Sequence, residues 1–306
     1  MNKSLQRIAN TVVLYSYHLQ NEGLLNGRMG IIFFLYRYAD YSGCTYYRDF
    51  SDKLLDYVLA SSGRIPVNFE DGLSGIGWTV NYLIKGGLVD GDSNDVLQDV
   101  DRKVFSSYSC NPRTSIFGQG IYLIDRIKGN QSNVDIRKRV IECLDFCEKR
   151  IKEYRGVSSL YHINSILYFL YSIENNLPDN GAMDTTKKDL SENLQSVFKD
   201  RLFDDADLYI FKRMLTEIGT KQKTGWDSVL SLQIPELSRD FDIETMIRIS
   251  WQEILYFGNS TLKEIPLEDI SYFIESKQES LTINDFFFTK GLTGLGNMLL
   301  STNTGH

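Results

Sequence analysis

The chain has 306 residues, of which 42% are hydrophobic and 24% charged, and its net charge is −7. This length allows one large domain or two smaller ones with a sizeable core. The negative balance argues against a nucleic-acid partner, which needs a basic surface. No apolar run reaches transmembrane length, so no membrane span is expected and cytoplasmic location is the expectation.

Met1 to Gln20 reads as an amphipathic helix using Leu5, Ile8, Val12, Tyr15 and Leu19. It lacks the continuous apolar core and cleavage site of a secretory leader. Gly23-Leu24-Leu25-Asn26-Gly27-Arg28-Met29-Gly30 then opens an apolar helix through Tyr38, broken at Ser42-Gly43. Tyr46 to Ala60 is a second amphipathic helix, with Phe50, Leu54, Tyr57 and Val58 as its inner face. Phe69-Glu70-Asp71-Gly72-Leu73-Ser74-Gly75-Ile76-Gly77-Trp78 repeats the glycine pattern and opens a helix to Lys85, ended by Gly86-Gly87.

Asp90-Gly91-Asp92-Ser93-Asn94-Asp95 echoes the opening of a calcium loop. The sixth position should be Gly and is Asp95, and the twelfth should be Glu and is Asp101. A turn in which Ser93 or Asn94 caps a helix over Val96–Phe105 is the preferred reading. A degenerate glycine copy follows Asn111-Pro112-Arg113, with Gly118, Gln119, Gly120 and Tyr122. Val134 to Tyr154 is a long outer helix, and Ser158 or Ser159 starts the next, which holds Tyr161, His162, Asn164 and Ser165. Leu177 to Gly181 is a break but is too short to mark a domain boundary. Helices are expected over Asp184–Lys199, Asp205–Ile218, Asp242–Phe257 and Leu267–Ser276. Phe286 to Lys290 leads into a last glycine copy at Gly291, Gly294 and Gly296. Val/Ile/Thr alternation is absent, so the fold class is all-α.

The glycine copies recur at 48, 43 and 47 residues, counted Gly27 to Gly75, Gly75 to Gly118 and Gly118 to Ser165. Such periods mark repeat architectures. At roughly 45 residues per helical hairpin, the chain holds six or seven. Glycine-led helices pack closely in an inner ring, with the others outside.

On these motifs the chain resembles the lanthionine synthetase C-like (LanC-like) family. The resemblance implies an α/α-toroid, a double-layered barrel in which a glycine motif opens each inner helix. It takes 1–306 as a single domain. Phe69–Phe105 and Lys290–Leu300 look most alike, and Pro178–Ser280 carries little that aligns. Catalytic members hold zinc with two cysteines and a histidine in Trp-Cys-x-Gly and Cys-His-Gly motifs. Neither motif occurs here.

In a ring of parallel inner helices, helix N-termini gather at one end with unpaired N–H groups and partial positive charge. Residues beside the glycines are therefore the candidates. Glu70, Asp71 and His162 are candidate acid/base groups expected at one end of the barrel. Trp78, Gln119, Tyr122, Tyr161 and Asn164 are candidate substrate contacts, and Asn26, Arg28 and Lys290 share their placement. Each has a plainer reading: the carboxylates favour the positive end of the next helix, His162 hydrogen-bonds at a helix start, and Trp78 packs on Tyr82. His18 reads as structural and His306 is terminal.

Four cysteines, Cys44, Cys110, Cys143 and Cys147, give no disulfide scaffold at this length. Ile136, Val140, Cys143, Leu144, Cys147 and Ile151 form one apolar stripe, so Cys143 and Cys147 read as core. No cysteine follows Cys147 and no histidine lies between His162 and His306, so no metal and no other cofactor is expected. Three functions follow: a zinc-less LanC-like protein that binds a precursor or modified peptide, alone or with a peptide-modifying enzyme; a carboxylate enzyme on an α/α-toroid, such as a glycoside hydrolase; or a structural or regulatory interaction module.

Overall fold

The computed structural model describes residues 2–106, 116–129, 134–153, 159–176, 183–221, 225–237, 240–262, 267–279 and 281–303. The helices in chain order are α1 (Asn2–Tyr15), α2 (Arg28–Ser42), α3 (Thr45–Ala60), α4 (Leu73–Lys85), α5 (Ser93–Val96), α6 (Gln98–Ser106), α7 (Ile116–Gly129), α8 (Val134–Glu153), α9 (Leu160–Asn176), α10 (Met183–Lys199), α11 (Asp205–Thr220), α12 (Asp227–Leu230), α13 (Ile243–Phe257), α14 (Leu267–Glu279) and α15 (Leu292–Asn303). No strand occurs among the described residues, and the all-α expectation holds. The expected loop at Asn111–Arg113, the break at Leu177–Gly181, Cys110, the Cys147 side chain and His306 lie outside the described residues.

The chain's contacts gather into two compact units, 1–108 with 241–306, and 109–240. In the first, α2 is buried nearly all round from Arg28 to Ala39, which marks a central helix. It packs against α1, α3, α4 and α15, and α15 in turn packs on α13 and α1. Helix α3 presents Tyr47, Ser51, Leu54, Leu55 and Val58 to this core. Each fully buried Leu or Ile stabilises by about 1.5–3 kcal/mol. Gly43 ends α2 at φ 66, a left-handed stop that needs no side chain.

In the second unit α9 is the central helix, buried from Leu160 through most of its length. It packs against α7, α11 and α10, and α8 joins α7 and α10. Val140, Cys143, Leu144 and Ile151 are buried along α8, as their stripe predicts.

Several local expectations need correction. The first helix stops at Tyr15, is followed by a 3-10 turn Ser16–His18, and Leu19 is extended. Leu5, Ile8, Val12 and Leu19 are buried but Tyr15 is 38% exposed. Tyr57 is likewise exposed, because its ring lies at the rim under the Arg28 guanidinium, 5.0 Å away. Asp92, and neither Ser93 nor Asn94, caps the helix after Asp90: its Oδ1 accepts from the Asn94 N–H at 2.7 Å. That helix is short, and α6 begins anew at Gln98.

The repeat register also shifts. Gly27 and Gly72 each stand just before their helices, as does Gly291. They are the equivalent positions, with Gly30, Gly75 and Gly294 one turn on. The sequence alignment of Gly27 with Gly75 is therefore out by three residues. The shared pattern is an apolar residue, two others, Gly, two others, Gly, beginning at Leu24, Phe69 and Phe288.

Candidate functional site

Three helix starts converge in the first unit. The Leu25 N–H donates to the Glu70 carbonyl at 2.9 Å, and the Phe288 N–H donates to the Leu25 carbonyl at 3.1 Å. The segments before α2, α4 and α15 are thus stitched by backbone hydrogen bonds. The glycines make this approach possible. A Cβ on Gly30 would stand 2.5 Å from the Leu24 carbonyl oxygen and 3.0 Å from the Phe288 Cβ. One on Gly75 would overlap the Phe69 carbonyl oxygen and meet the Leu24 Cβ at 3.1 Å. One on Gly294 would overlap the Phe288 carbonyl and meet Ile247 Cγ2 of α13 at 2.5 Å. The second glycine of each copy, the third residue of its helix, therefore sits on the carbonyl six residues back and against a neighbouring segment.

The remaining glycines follow suit. Gly27 abuts the Gly23 backbone, Gly72 abuts Pro66 and Asn68, Gly291 abuts Asp285, and Gly296 abuts the Phe34 ring. Gly77 is buried within α4. In the second unit Gly120 faces the Phe169 ring at 2.8 Å. Gly118 lies within α7, and its surroundings are outside the described residues.

Glu70 and Asp71 are adjacent yet differ in environment. Asp71 borders a cleft of about 770 Å³ with Gln20, Asn21, Glu22, Arg64 and Pro66. Its Oδ1 accepts from Asn26 Nδ2 at 3.1 Å, pairing equivalent positions of two glycine copies. Glu70 turns inward, and its Oε2 is buried without a hydrogen-bond partner. Burial pushes its carboxyl up to about 7, with the neighbouring Asp71 charge adding to the rise and a backbone hydrogen bond opposing it. Neither carboxylate caps α4, whose N-cap is Gly72 with no side-chain hydrogen bond.

Arg28 is buried at the start of α2 and ion-paired with Glu22, which lines the same cleft. Its guanidinium also donates to the carbonyls of Ser16 at 3.3 Å and Tyr17 at 3.2 Å. This side chain fastens the 3-10 turn to α2. Lys290 is exposed before α15. Trp78 is buried in an aromatic cluster, 5.4 Å from the Tyr82 ring, 6.0 Å from Phe33 and 6.3 Å from Phe69. It is a packing residue of the first unit's core.

The other candidates belong to the second unit. Ser159 Oγ and His162 Nδ1 lie 3.0 Å apart at the start of α9, so His162 makes a helix-start hydrogen bond. Its ring also meets the Tyr161 ring at 5.4 Å. Asn164 is fully buried and donates from Nδ2 to the Asp207 carbonyl at 2.9 Å, tying α9 to α11. Gln119 and Tyr122 are fully buried in α7. His18 is exposed in the first unit. Glu70 and Asp71 thus share a unit and His162 does not. Among the described residues no three His, Cys, Asp or Glu side chains are grouped to hold a metal ion.

Sequence reading missed Arg37, a part-buried guanidinium on α2 whose polar partners come from α15. Arg within an otherwise apolar helix was the available signal. No helix among the described residues is long and apolar enough to cross a membrane. No family model, curated protein or solved structure matches the chain.

Proposed function

We propose that the chain is a zinc-less α/α-toroid of the LanC-like kind that binds a precursor or modified peptide without cyclase chemistry, alone or beside a peptide-modifying enzyme. The observation that carries this reading is the recurrent seating of Gly30, Gly75 and Gly294 on the carbonyls of Leu24, Phe69 and Phe288. Parallel glycine-led helices packed at their starts are what an inner ring of that family requires. The cleft beside Asp71 offers polar side chains and backbone to an extended peptide. Zinc normally makes the attacking thiolate in the family, and this chain has no cysteine after Cys147 to hold it there. A fluorescent peptide bearing dehydrated serines and a cysteine tests the reading. It should bind by anisotropy, remain uncyclised by mass spectrometry, and bring no stoichiometric zinc in elemental analysis. Thioether formation faster than in buffer, or no peptide binding at all, sinks it.

The carboxylate pair favours a second reading, an enzyme using general acid/base catalysis. Two neighbouring carboxyls in unlike environments divide naturally into a protonated acid and an ionised base. On this reading Glu70 is the acid and Asp71 the base. A glycosidase screen at pH 5 to 7 decides it, since turnover lost in both Glu70→Gln and Asp71→Asn is required.

A further inference from the structure

Helices α13 and α14 of the first unit border a cleft of about 490 Å³. Lys277, near the end of α14, donates to Glu244 Oε1 at 3.1 Å and pairs with Asp285 at 3.3 Å. Its ammonium lies 5.1 Å from the Phe273 ring centroid. These contacts fasten the end of α14 to the start of α13. The apolar side chains along the cleft are not sealed by that contact. Phe273 is buried, but Phe241, Ile243 and Met246 are half-buried, and Tyr272 is 75% exposed. Contiguous apolar surface of this kind, rimmed by polar groups, marks an interaction site more often than scattered exposed residues do.

The charge around it narrows the occupant. The charged side chains on the cleft are Asp242, Glu244, Asp269 and Lys277. Lys277 is already shared between Glu244 and Asp285. Asp242 caps α13, its Oδ1 accepting from the Thr245 N–H at 2.8 Å. Neither Asp242 nor Asp269 has a cationic partner among the described residues, and Asp269 is exposed. The free face is therefore apolar with uncompensated negative charge. An anionic lipid surface and a nucleic-acid phosphate are both repelled by it. A second copy meeting this face across a two-fold axis would set the same acids against one another. A segment of another protein that carries Lys or Arg beside an apolar side chain meets both demands.

We propose that the cleft between α13 and α14 is a docking site for a basic peptide segment of another protein, anchored by an aromatic or branched apolar residue. The anchor lies among Phe241, Met246 and Tyr272, where the flexible thioether adapts to its shape and the tyrosine ring offers a face. Flanking cations meet Asp242 and Asp269. No residue of this cleft lines the one beside Asp71, so the inference stands independently of the function proposed above.

Fluorescence anisotropy of the full chain with rhodamine-labelled Lys-Arg-Phe-Leu-Lys-Arg tests this. Lys-Arg-Ser-Ser-Lys-Arg and Glu-Asp-Phe-Leu-Glu-Asp, with the same label, are the comparisons. The first peptide should bind at least tenfold tighter than either, and less tightly as salt is raised. Tyr272→Ser and Asp269→Lys should each weaken it at least tenfold. Both positions are exposed, so both variants should melt like the wild type. The three-peptide comparison on the wild-type protein needs neither variant. Binding no tighter than that of the serine peptide, or than that of the acidic peptide, overturns the proposal. So does unchanged affinity in either variant, which would put the peptide elsewhere on this acidic chain. Phosphatidylserine vesicles that co-sediment with wild type but not with Tyr272→Ser would assign the face to a membrane instead. A dimer in sedimentation equilibrium that Tyr272→Ser dissolves would assign it to a second copy, and either result overturns the peptide.

Discussion

Gly75 of α4 and Leu24, six residues before Gly30, lie so close that a Cβ on Gly75 would stand 3.1 Å from the Leu24 Cβ. The same added atom would overlap the Phe69 carbonyl oxygen. Backbone cannot yield cheaply there, because the Glu70 carbonyl next along is already bonded to Leu25. Gly75→Ala should therefore cost about 3 kcal/mol, and Gly75→Val more, at the upper end of single-residue effects. Gly63→Ala is the control, since nothing lies within 4 Å of its added Cβ. Thermal melts of the two Ala variants that coincide would remove the packing role.

Glu70 makes stability depend on pH. Its folded-state carboxyl is raised from 4.5 to about 7. The protonated form is favoured in the folded chain, so this contribution is complete below the unfolded value. It is lost as pH rises from about 4.5 through about 7. The full loss is of order 3 kcal/mol for a shift of this size. Glu70→Gln should be less sensitive to pH across that window and more stable than wild type at pH 8. Denaturant midpoints at pH 5 and pH 8 for both proteins read this directly, and equal pH slopes would contradict it.

Arg28 and Glu22 should behave as a coupled pair. Removing one member of a buried ion pair leaves the other charge uncompensated, which costs about 3–5 kcal/mol. Arg28→Met alone should approach that loss, because Glu22 Oε2 already lacks a partner. The double variant Arg28→Met with Glu22→Met should recover part of it. A double-mutant cycle with coupling near zero would show that the pair is incidental.

Asn164 should act as a strut between α9 and α11. Asn164→Ala removes the 2.9 Å bond to the Asp207 carbonyl and leaves that buried acceptor short of a donor. A loss of about 1–3 kcal/mol is expected. Substitution at His162, half-buried and bonded to Ser159, should cost less. If His162→Ala proves the more damaging of the two in urea melts, the assignment of strut and cap is reversed.

Much of the local structure was legible in the chain. Apolar periodicity placed the helices that hold Leu54, Val140 and Leu194, because a 3.6-residue period survives whatever the neighbour is. The glycine copies at Gly27, Gly72 and Gly291 announced close approach, because glycines are costly in and beside helices unless backbone comes near. The boundaries slipped where a tertiary contact intervened. Arg28 holds the carbonyls of Ser16 and Tyr17, so the first helix ends early at Tyr15.

The sequence by itself determined that this protein is helical, where its helices lie, and that three of them begin on paired glycines. Those features follow from local propensity, spacing and the missing Cβ. Only the tertiary structure decided the three-residue register of the repeats, since Gly30, Gly75 and Gly294 each meet, besides the carbonyl six residues back, a side chain of another segment. It alone separated Glu70 from its neighbour Asp71, one carboxyl desolvated and the other bordering a cleft. It alone left Arg37 among neutral partners while Arg28, on the same helix, has a carboxylate. Burial and charge pairing depend on which distant segments pack together, and periodicity along one chain carries no record of that.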